Sequence, residues 1–198
     1  WKTYVGRPEG EKMRGMAMTE LGNGLHLAGH YEEALSVKEA DLSWMRRFGG
    51  SKSNILVAQT NLSNTYSALG RIRDAMRLRR VVYSRRLRLH GEEHGKVVGA
   101  ASNYATSLLY LKRFEKSKAV LRKTMPVARR VLGDSHALML RMKKLYAQAL
   151  YRDPGATLDD LREAVTTLAE AAQIARRVLG GVPPETAKME DDLQNMRA

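Results

Sequence analysis

The stretch Ala128-Arg129-Arg130-Val131-Leu132-Gly133 occurs twice in this chain, because the same six residues return as Ala175-Arg176-Arg177-Val178-Leu179-Gly180. The second copy begins 47 positions after the first. A weaker pair has a shorter period: Gly91-Glu92-Glu93-His94 is echoed 42 positions later by Gly133-Asp134-Ser135-His136. Self-similarity with a period of roughly 20 to 50 residues is typical of repeat architectures, so the sequence predicts an array of similar units.

Each unit contains two stretches with helical periodicity. In the second unit Leu62, Tyr66 and Leu69 form one apolar stripe, Gly70 interrupts it, and Ile72 begins a second stripe. Neither helix could bury its stripe alone. Stacking of successive helix pairs would give the continuous core of a solenoid.

These units resemble tetratricopeptide repeats (TPRs), in the 42-residue variety typical of kinesin light chains. The first unit shows the signature as Leu21-Gly22, Leu25, Gly29, Tyr31 and Ala34. Related residues follow in the other three units: Leu62-Ser63, Tyr66, Gly70, Ile72 and Ala75; Tyr104-Ala105, Leu108, Lys112, Phe114 and Ser117; Tyr146-Ala147, Leu150 and Ala164. The resemblance covers about residues 15–180.

The resemblance implies an all-α fold, a right-handed α-solenoid of antiparallel helix pairs with a C-terminal capping helix. We expect a single array over residues 1–198, with units at about 10–50, 51–94, 95–136 and 137–181 and the capping helix at 185–197. The expected helices lie near 10–28, 31–47, 53–69, 72–90, 95–111, 114–131, 136–152, 158–179 and 185–197.

Two features depart from the repeat. The longer spacing before the last unit places five inserted residues at 153–157, which we expect to form a loop between two helices that remain packed. Thr157 and Asp160 have the spacing of a helix cap at the end of that loop. Pro126 lies inside the third long helix, where it removes a backbone hydrogen bond and is expected to cause a kink.

The composition excludes several classes of protein. The absence of cysteine excludes disulfides, thiolate nucleophiles and cysteine metal sites, and it fits a cytoplasmic location. No apolar run reaches the roughly 18 residues of a membrane span, so we expect no membrane partner. Because the chain begins with Trp1, we expect it to be a fragment or a processed product.

The residues with catalytic or metal-binding potential have simpler structural explanations. His90 and His94 flank Gly91, in a segment that is expected to be a loop and that recurs at His136, so we expect no metal. The carboxylate pairs Glu32-Glu33 and Asp159-Asp160 fall in the first turn of a helix, where the helix dipole favours negative charge. We therefore expect no enzyme activity and no cofactor.

Candidate ligand contacts come from the resemblance. In kinesin light chains, asparagines of the first helix of each unit line a concave groove and hydrogen-bond the backbone of a bound peptide. Asn61 and Asn103 occupy that position here, and a second polar position lies one helical turn further on. The predicted groove residues are Asn61, Asn64, Asn103, Thr106, Lys144, Gln148 and Arg152. A polar face that is merely solvated is the alternative explanation.

The predicted function is a non-enzymatic interaction scaffold for a peptide or partner protein. It would act as a module of a larger protein or as a kinesin-light-chain-like adaptor. The formal charge of +13 makes an acidic ligand one candidate. Residues 71–90 and 112–130 each carry a balance of +7, so a basic solenoid that binds nucleic acid or another polyanion is the alternative. Aromatic residues suited to base stacking are sparse in both stretches, which disfavours nucleic acid.

Overall fold

The structure, a computed structural model, describes residues 8–179 as eight α-helices, with no strand in that range. The helices are α1 (Pro8–Leu27), α2 (Tyr31–Arg47), α3 (Lys52–Ala68), α4 (Ile72–His90), α5 (Gly95–Tyr110), α6 (Phe114–Leu132), α7 (Ala137–Tyr151) and α8 (Leu158–Leu179). Each end lies within two residues of the expected boundary, which confirms the all-α prediction. The predicted capping helix at 185–197 lies outside the described residues. Among the described helices, none is long and apolar enough to cross a bilayer.

The tight turns within the helix pairs follow from backbone conformation. Gly70 ends α3 with φ of 72°, and the N–H of Arg71 returns to the carbonyl of Tyr66 at 2.8 Å. This is the hydrogen bond of a Schellman motif, in which glycine is favoured because it lacks a Cβ. In the next pair Lys112 adopts the same left-handed region with φ of 56°. The turn therefore persists where the sequence has lost its glycine.

The chain divides after Arg85, within α4, into two compact units. In the unit of residues 1–85, α2 packs against both α1 and α3 around a core that includes Leu35, Leu42 and Leu62. In the unit of residues 86–198, α6 packs against α5 and α7, and α7 packs against α8. Its core is larger and includes Leu121, Met142, Tyr146, Leu150 and Leu168.

The inserted residues form the expected loop between α7 and α8, which still pack together. Asp153 fixes its start by accepting hydrogen bonds from the N–H of Gly155 at 3.1 Å and from the buried Lys118 ammonium, 3.2 Å away. Thr157 and Asp160 then form a reciprocal cap at the start of α8, as the spacing predicts. Pro126 lies within α6, which is continuous from Phe114 to Leu132, and the kink stays a prediction.

Asp153 should make this loop sensitive to acid. The hydrogen bond from the backbone N–H of Gly155, followed by that from Lys118, lowers the pKa of Asp153. A carboxyl whose folded-state pKa is depressed contributes stability above its unfolded pKa, near 4, and that stability is lost as the pH falls through the folded pKa. We expect Asp153→Asn to lose less thermal stability than the parent between about pH 5 and pH 2, as followed by circular dichroism.

Asp159→Asn is the matched control for this experiment, because the Asp159 side chain is 89% exposed and, within residues 8–179, pairs only with Arg162 in the next turn. The prediction is contradicted if Asp153→Asn and Asp159→Asn change the acid sensitivity equally.

Candidate functional site

The seven predicted groove residues lie on three helices or directly after them. Asn61 and Asn64 belong to α3, Asn103 and Thr106 to α5, and Lys144 and Gln148 to α7, which Arg152 follows. Six of the side chains are half-buried and that of Arg152 is exposed. None is buried in the core, so all remain accessible to a ligand, and their binding role stays a prediction.

The two asparagines of α3 differ in their surroundings. The guanidinium of Arg79, which is almost fully buried, donates to the amide oxygen of Asn64 at 3.2 Å and to the hydroxyl of Ser63 at 3.4 Å. Because Arg79 occupies that oxygen, Asn64 would serve a ligand mainly as a donor. Within residues 8–179 the Asn61 side chain makes no hydrogen bond, so both its donor and its acceptor face a potential ligand.

A hydrogen bond between α5 and α7 brings polar side chains of the second unit together. Thr106 donates to the carbonyl of Ser102 at 2.8 Å and accepts from the guanidinium of Arg141 at 3.2 Å. The Arg141 side chain is exposed, yet desolvation by the atoms around it lowers its pKa.

Arg141 is a candidate contact on α7 in addition to the seven predicted groove residues. The signal for it was present, because Arg141, Lys144 and Gln148 have the i, i+3, i+7 spacing of one helix face. Arg152 lies beyond the end of α7, where its Nε donates to the hydroxyl of the neighbouring Tyr151 at 3.2 Å.

The inter-repeat histidines are helix caps. His94 precedes α5 and its Nδ1 accepts from the N–H of Lys96 at 3.1 Å, and His136 does the same for α7 with Leu138. The ring of His90 stacks on that of His94 with centroids 4.4 Å apart. In the part of the chain that the structure describes, no three potential metal ligands cluster. The recurrence of histidine in this loop thus has a structural cause.

The two basic stretches differ in how their charges are matched. On α6 several of the cations meet carboxylates from other segments: Lys123 pairs with Glu92 at 2.7 Å, Arg130 with Glu93 at 2.8 Å, and Arg129 with Asp134 at 2.9 Å. On α4, Asp74 alone serves both Arg71 at 3.0 Å and Arg77 at 3.8 Å. Over residues 8–179, the exposed Arg73 and Arg80 have no carboxylate partner.

Comparison with known proteins agrees with this repeat architecture. The sequence profile described as tetratricopeptide repeat matches residues 55–95 and 97–138. A search of curated proteins finds no match. A crystal structure from Podosopora anserina, described as a kinesin light chain with nearly identical TPR-like repeats, is similar with a TM-score of 0.76 and 20% identity. The similarity covers 92% of this chain and 84% of that chain.

Two further structures share the fold. BtubC (BKLC) from P. vanneervenii is similar with a TM-score of 0.77 and 15% identity, over 98% of this chain and 76% of that chain. A double mutant of MamA RS-1 gives a TM-score of 0.56 at 15% identity, over 92% of this chain and 94% of that chain. The chain therefore contains tetratricopeptide repeats at residues 55–95 and 97–138, and it has the α-solenoid fold of kinesin-light-chain-like repeat arrays.

Proposed function

We propose that this chain is a non-enzymatic scaffold that binds an extended peptide of a partner protein through polar side chains of α3, α5 and α7. Tetratricopeptide repeats are in general protein-interaction modules, and their fold is typically non-catalytic. The carboxylate pairs Glu32-Glu33 and Asp159-Asp160 belong to the first turns of α2 and α8. They serve those helices rather than a reaction centre.

The observation that carries the proposal is the hydrogen bond between Arg141 and Thr106. It joins polar side chains of α5 and α7 in the second unit, and Asn103 and Gln148 of the same two helices are half-buried. Amide side chains both donate and accept, so they can pair with a peptide backbone of any sequence. Arg141 and Lys144 would add a preference for an acidic residue in the part of the ligand that meets α7.

The proposal also concerns the location of this scaffold and the protein to which it belongs. We infer a cytoplasmic module, either part of a larger protein or an adaptor. The partner is a peptide segment or protein with acidic character. No metal, cofactor or membrane has a role in the proposed interaction.

Replacing both Asn61 and Asn103 by Ala should weaken peptide binding without unfolding the protein. Peptides selected by display against the parent would be labelled and titrated by fluorescence anisotropy. We expect the parent to bind with a dissociation constant on the order of micromolar, because ordering a flexible segment costs several kcal/mol. The double variant should bind at least about tenfold more weakly, since each lost amide removes up to two backbone hydrogen bonds worth about 1 kcal/mol each.

Asn54→Ala provides the control, because Asn54 is an exposed asparagine in the first turn of the same helix as Asn61. It should bind like the parent. Equal affinities for the double variant and the parent would refute the groove, provided that circular dichroism shows both proteins folded.

A polyanion-binding surface is the second candidate, and the unmatched arginines of α4 favour it. The dependence of binding affinity on salt concentration distinguishes the two functions. Binding through phosphates weakens steeply and linearly on a log–log plot against salt, whereas a groove of amide contacts responds weakly. A labelled DNA duplex titrated under the same conditions as the selected peptides gives this comparison directly.

A further inference from the structure

Two histidines in the unit of residues 86–198 cap helices through a ring nitrogen that carries no proton. The N–H of Lys96 donates to Nδ1 of His94 at 3.1 Å, and the N–H of Leu138 donates to Nδ1 of His136 at 3.1 Å. Both histidines have the extended backbone of an N-cap residue, with ψ of 130° and 135°. A ring nitrogen accepts a hydrogen bond only while it is unprotonated, so each cap requires a neutral imidazole.

Protonation of either ring removes the cap and adds an unfavourable charge. An imidazolium has two N–H donors and no acceptor, so the backbone N–H of Lys96 or Leu138 loses its partner. The positive ring then lies at the N-terminus of a helix, where the helix dipole favours negative charge. The unfolded chain binds the same proton without either cost. Acid therefore lowers the stability of the folded protein through both caps.

The groups that α4 and α5 place around His94 oppose a positive charge on its ring. The ring stacks on that of His90, with centroids 4.4 Å apart, so protonation of both would bring two cations into contact. Desolvation, followed by the charges of His94, Lys96 and Arg86, lowers the pKa of His90. Lys96 is the single charged residue of α5.

The carboxylates next to the two caps are shared with other cations. Beside His94, two pairs join the loop to α6: Glu92–Lys123 and Glu93–Arg130. Beside His136, Asp134 lies between cations of α6 and α7, in the pairs Asp134–Arg129 and Asp134–Lys143. From α8, which packs against α7, Glu170 also pairs with Lys143, and the last turn carries Arg176 and Arg177. These surroundings give neither histidine a carboxylate of its own.

We propose that His94 and His136 make the starts of α5 and α7 sensitive to mild acid, because both caps open when the histidines gain a proton. Histidine is the side chain that ordinarily changes charge between about pH 5 and pH 8. Val98 and Leu140 lie four residues after the two caps and are buried. The first turns therefore stay anchored to the core and become looser without unfolding. The device does not depend on the proposed peptide site.

Thermal unfolding of the full chain at pH 7.5 and pH 5.5, at constant ionic strength, tests the device. Asn accepts the same hydrogen bond from the backbone but does not titrate, so the double variant His94→Asn, His136→Asn keeps both caps at both pH values. We expect it to melt like the parent at pH 7.5. Between pH 7.5 and pH 5.5 its melting temperature should fall by about 3–6 °C less than that of the parent.

His30→Asn is the matched control. His30 holds the N-cap position of α2, but its side chain makes no cap hydrogen bond. The substitution should leave the pH dependence of the parent unchanged. His26 lies 3.1 Å from the hydroxyl of Thr65, to which the buried Lys38 also donates, and its protonation should destabilise the parent and all variants equally. The difference between parent and variant therefore isolates the two caps.

Amide hydrogen exchange locates the effect. Rates at Lys96 and Leu138 are compared between the parent and the double Asn variant at the same pH, so that the intrinsic pH dependence of exchange cancels. The ratio of parent rate to variant rate should rise at least about threefold from pH 7.5 to pH 5.5. The proposal is overturned if the double Asn variant loses as much melting temperature as the parent, if His30→Asn protects equally well, or if the exchange ratio at these two amides does not change with pH.

Discussion

Replacing Leu121 by Ala is expected to lower the free energy of unfolding by about 2–5 kcal/mol. The Leu121 side chain is fully buried and belongs to the core cluster of the second unit, with Met142, Leu150 and Leu168. The substitution removes apolar contacts and leaves a cavity, because helices packed on both sides of α6 can close it only in part. The melting temperature should fall by roughly 5–15 °C, as followed by circular dichroism at 222 nm.

Leu158→Ala is the matched control for this change. Leu158 is a leucine of the same unit but is 63% exposed at the start of α8. Its replacement should alter stability by less than about 0.5 kcal/mol. Similar losses in the two variants would mean that Leu121 is not part of the core.

The helices could be predicted because their signals are local. Apolar stripes at helical spacing mark where each helix lies, and residues with a left-handed backbone mark several of the ends. Gly29, Gly70 and Gly133 all have positive φ, at the ends of α1, α3 and α6. Lys112 shows the limit of this signal, because packing of α5 and α6 imposes the same conformation on a residue that does not favour it.

The buried cations could not be predicted, because their partners are distant in sequence. Lys38 is 5% exposed, and its ammonium donates to Thr65 of the next helix at 3.0 Å. Lys118 meets Asp153 of the inserted loop, and Lys143 lies 3.5 Å from Glu170 of α8. A lysine in an amphipathic helix is ordinarily assigned to the solvent face. Only the fold shows which of them is enclosed.

The pairing of charges in the two basic stretches could not be predicted from the sequence either. Residues 71–90 and 112–130 have the same balance, so the sequence gives no reason to distinguish them. The structure separates them because Glu92 and Glu93 follow α4 in the chain but pair with Lys123 and Arg130 of α6. The charge balance of a segment therefore does not predict which of its cations lack a carboxylate partner.

Gly15→Val should disrupt the packing of α1 on α2. Gly15 is buried, and a Cβ at this position would lie 2.5 Å from Cζ3 and 3.0 Å from Cη2 of Trp44. Since Val adds two further methyl groups, either the indole must move or the helices must separate. We expect a loss of about 2–3 kcal/mol, in the range found for overpacked sites, which exceeds the few tenths that Val gains over Gly in helix propensity.

Gly24→Val in the same helix separates this steric effect from propensity, because a Cβ at Gly24 would meet nothing within 4 Å. It should be neutral or slightly stabilising. Both changes are best made in a Trp1→Phe background, since Trp1 and Trp44 are the two tryptophans of the chain. Gly15→Val should then shift Trp44 emission to longer wavelength and lower the urea midpoint, while Gly24→Val changes neither. If the two variants unfold at the same urea concentration with the same emission, the indole of Trp44 does not pack over Gly15, and the contact between α1 and α2 must be arranged differently.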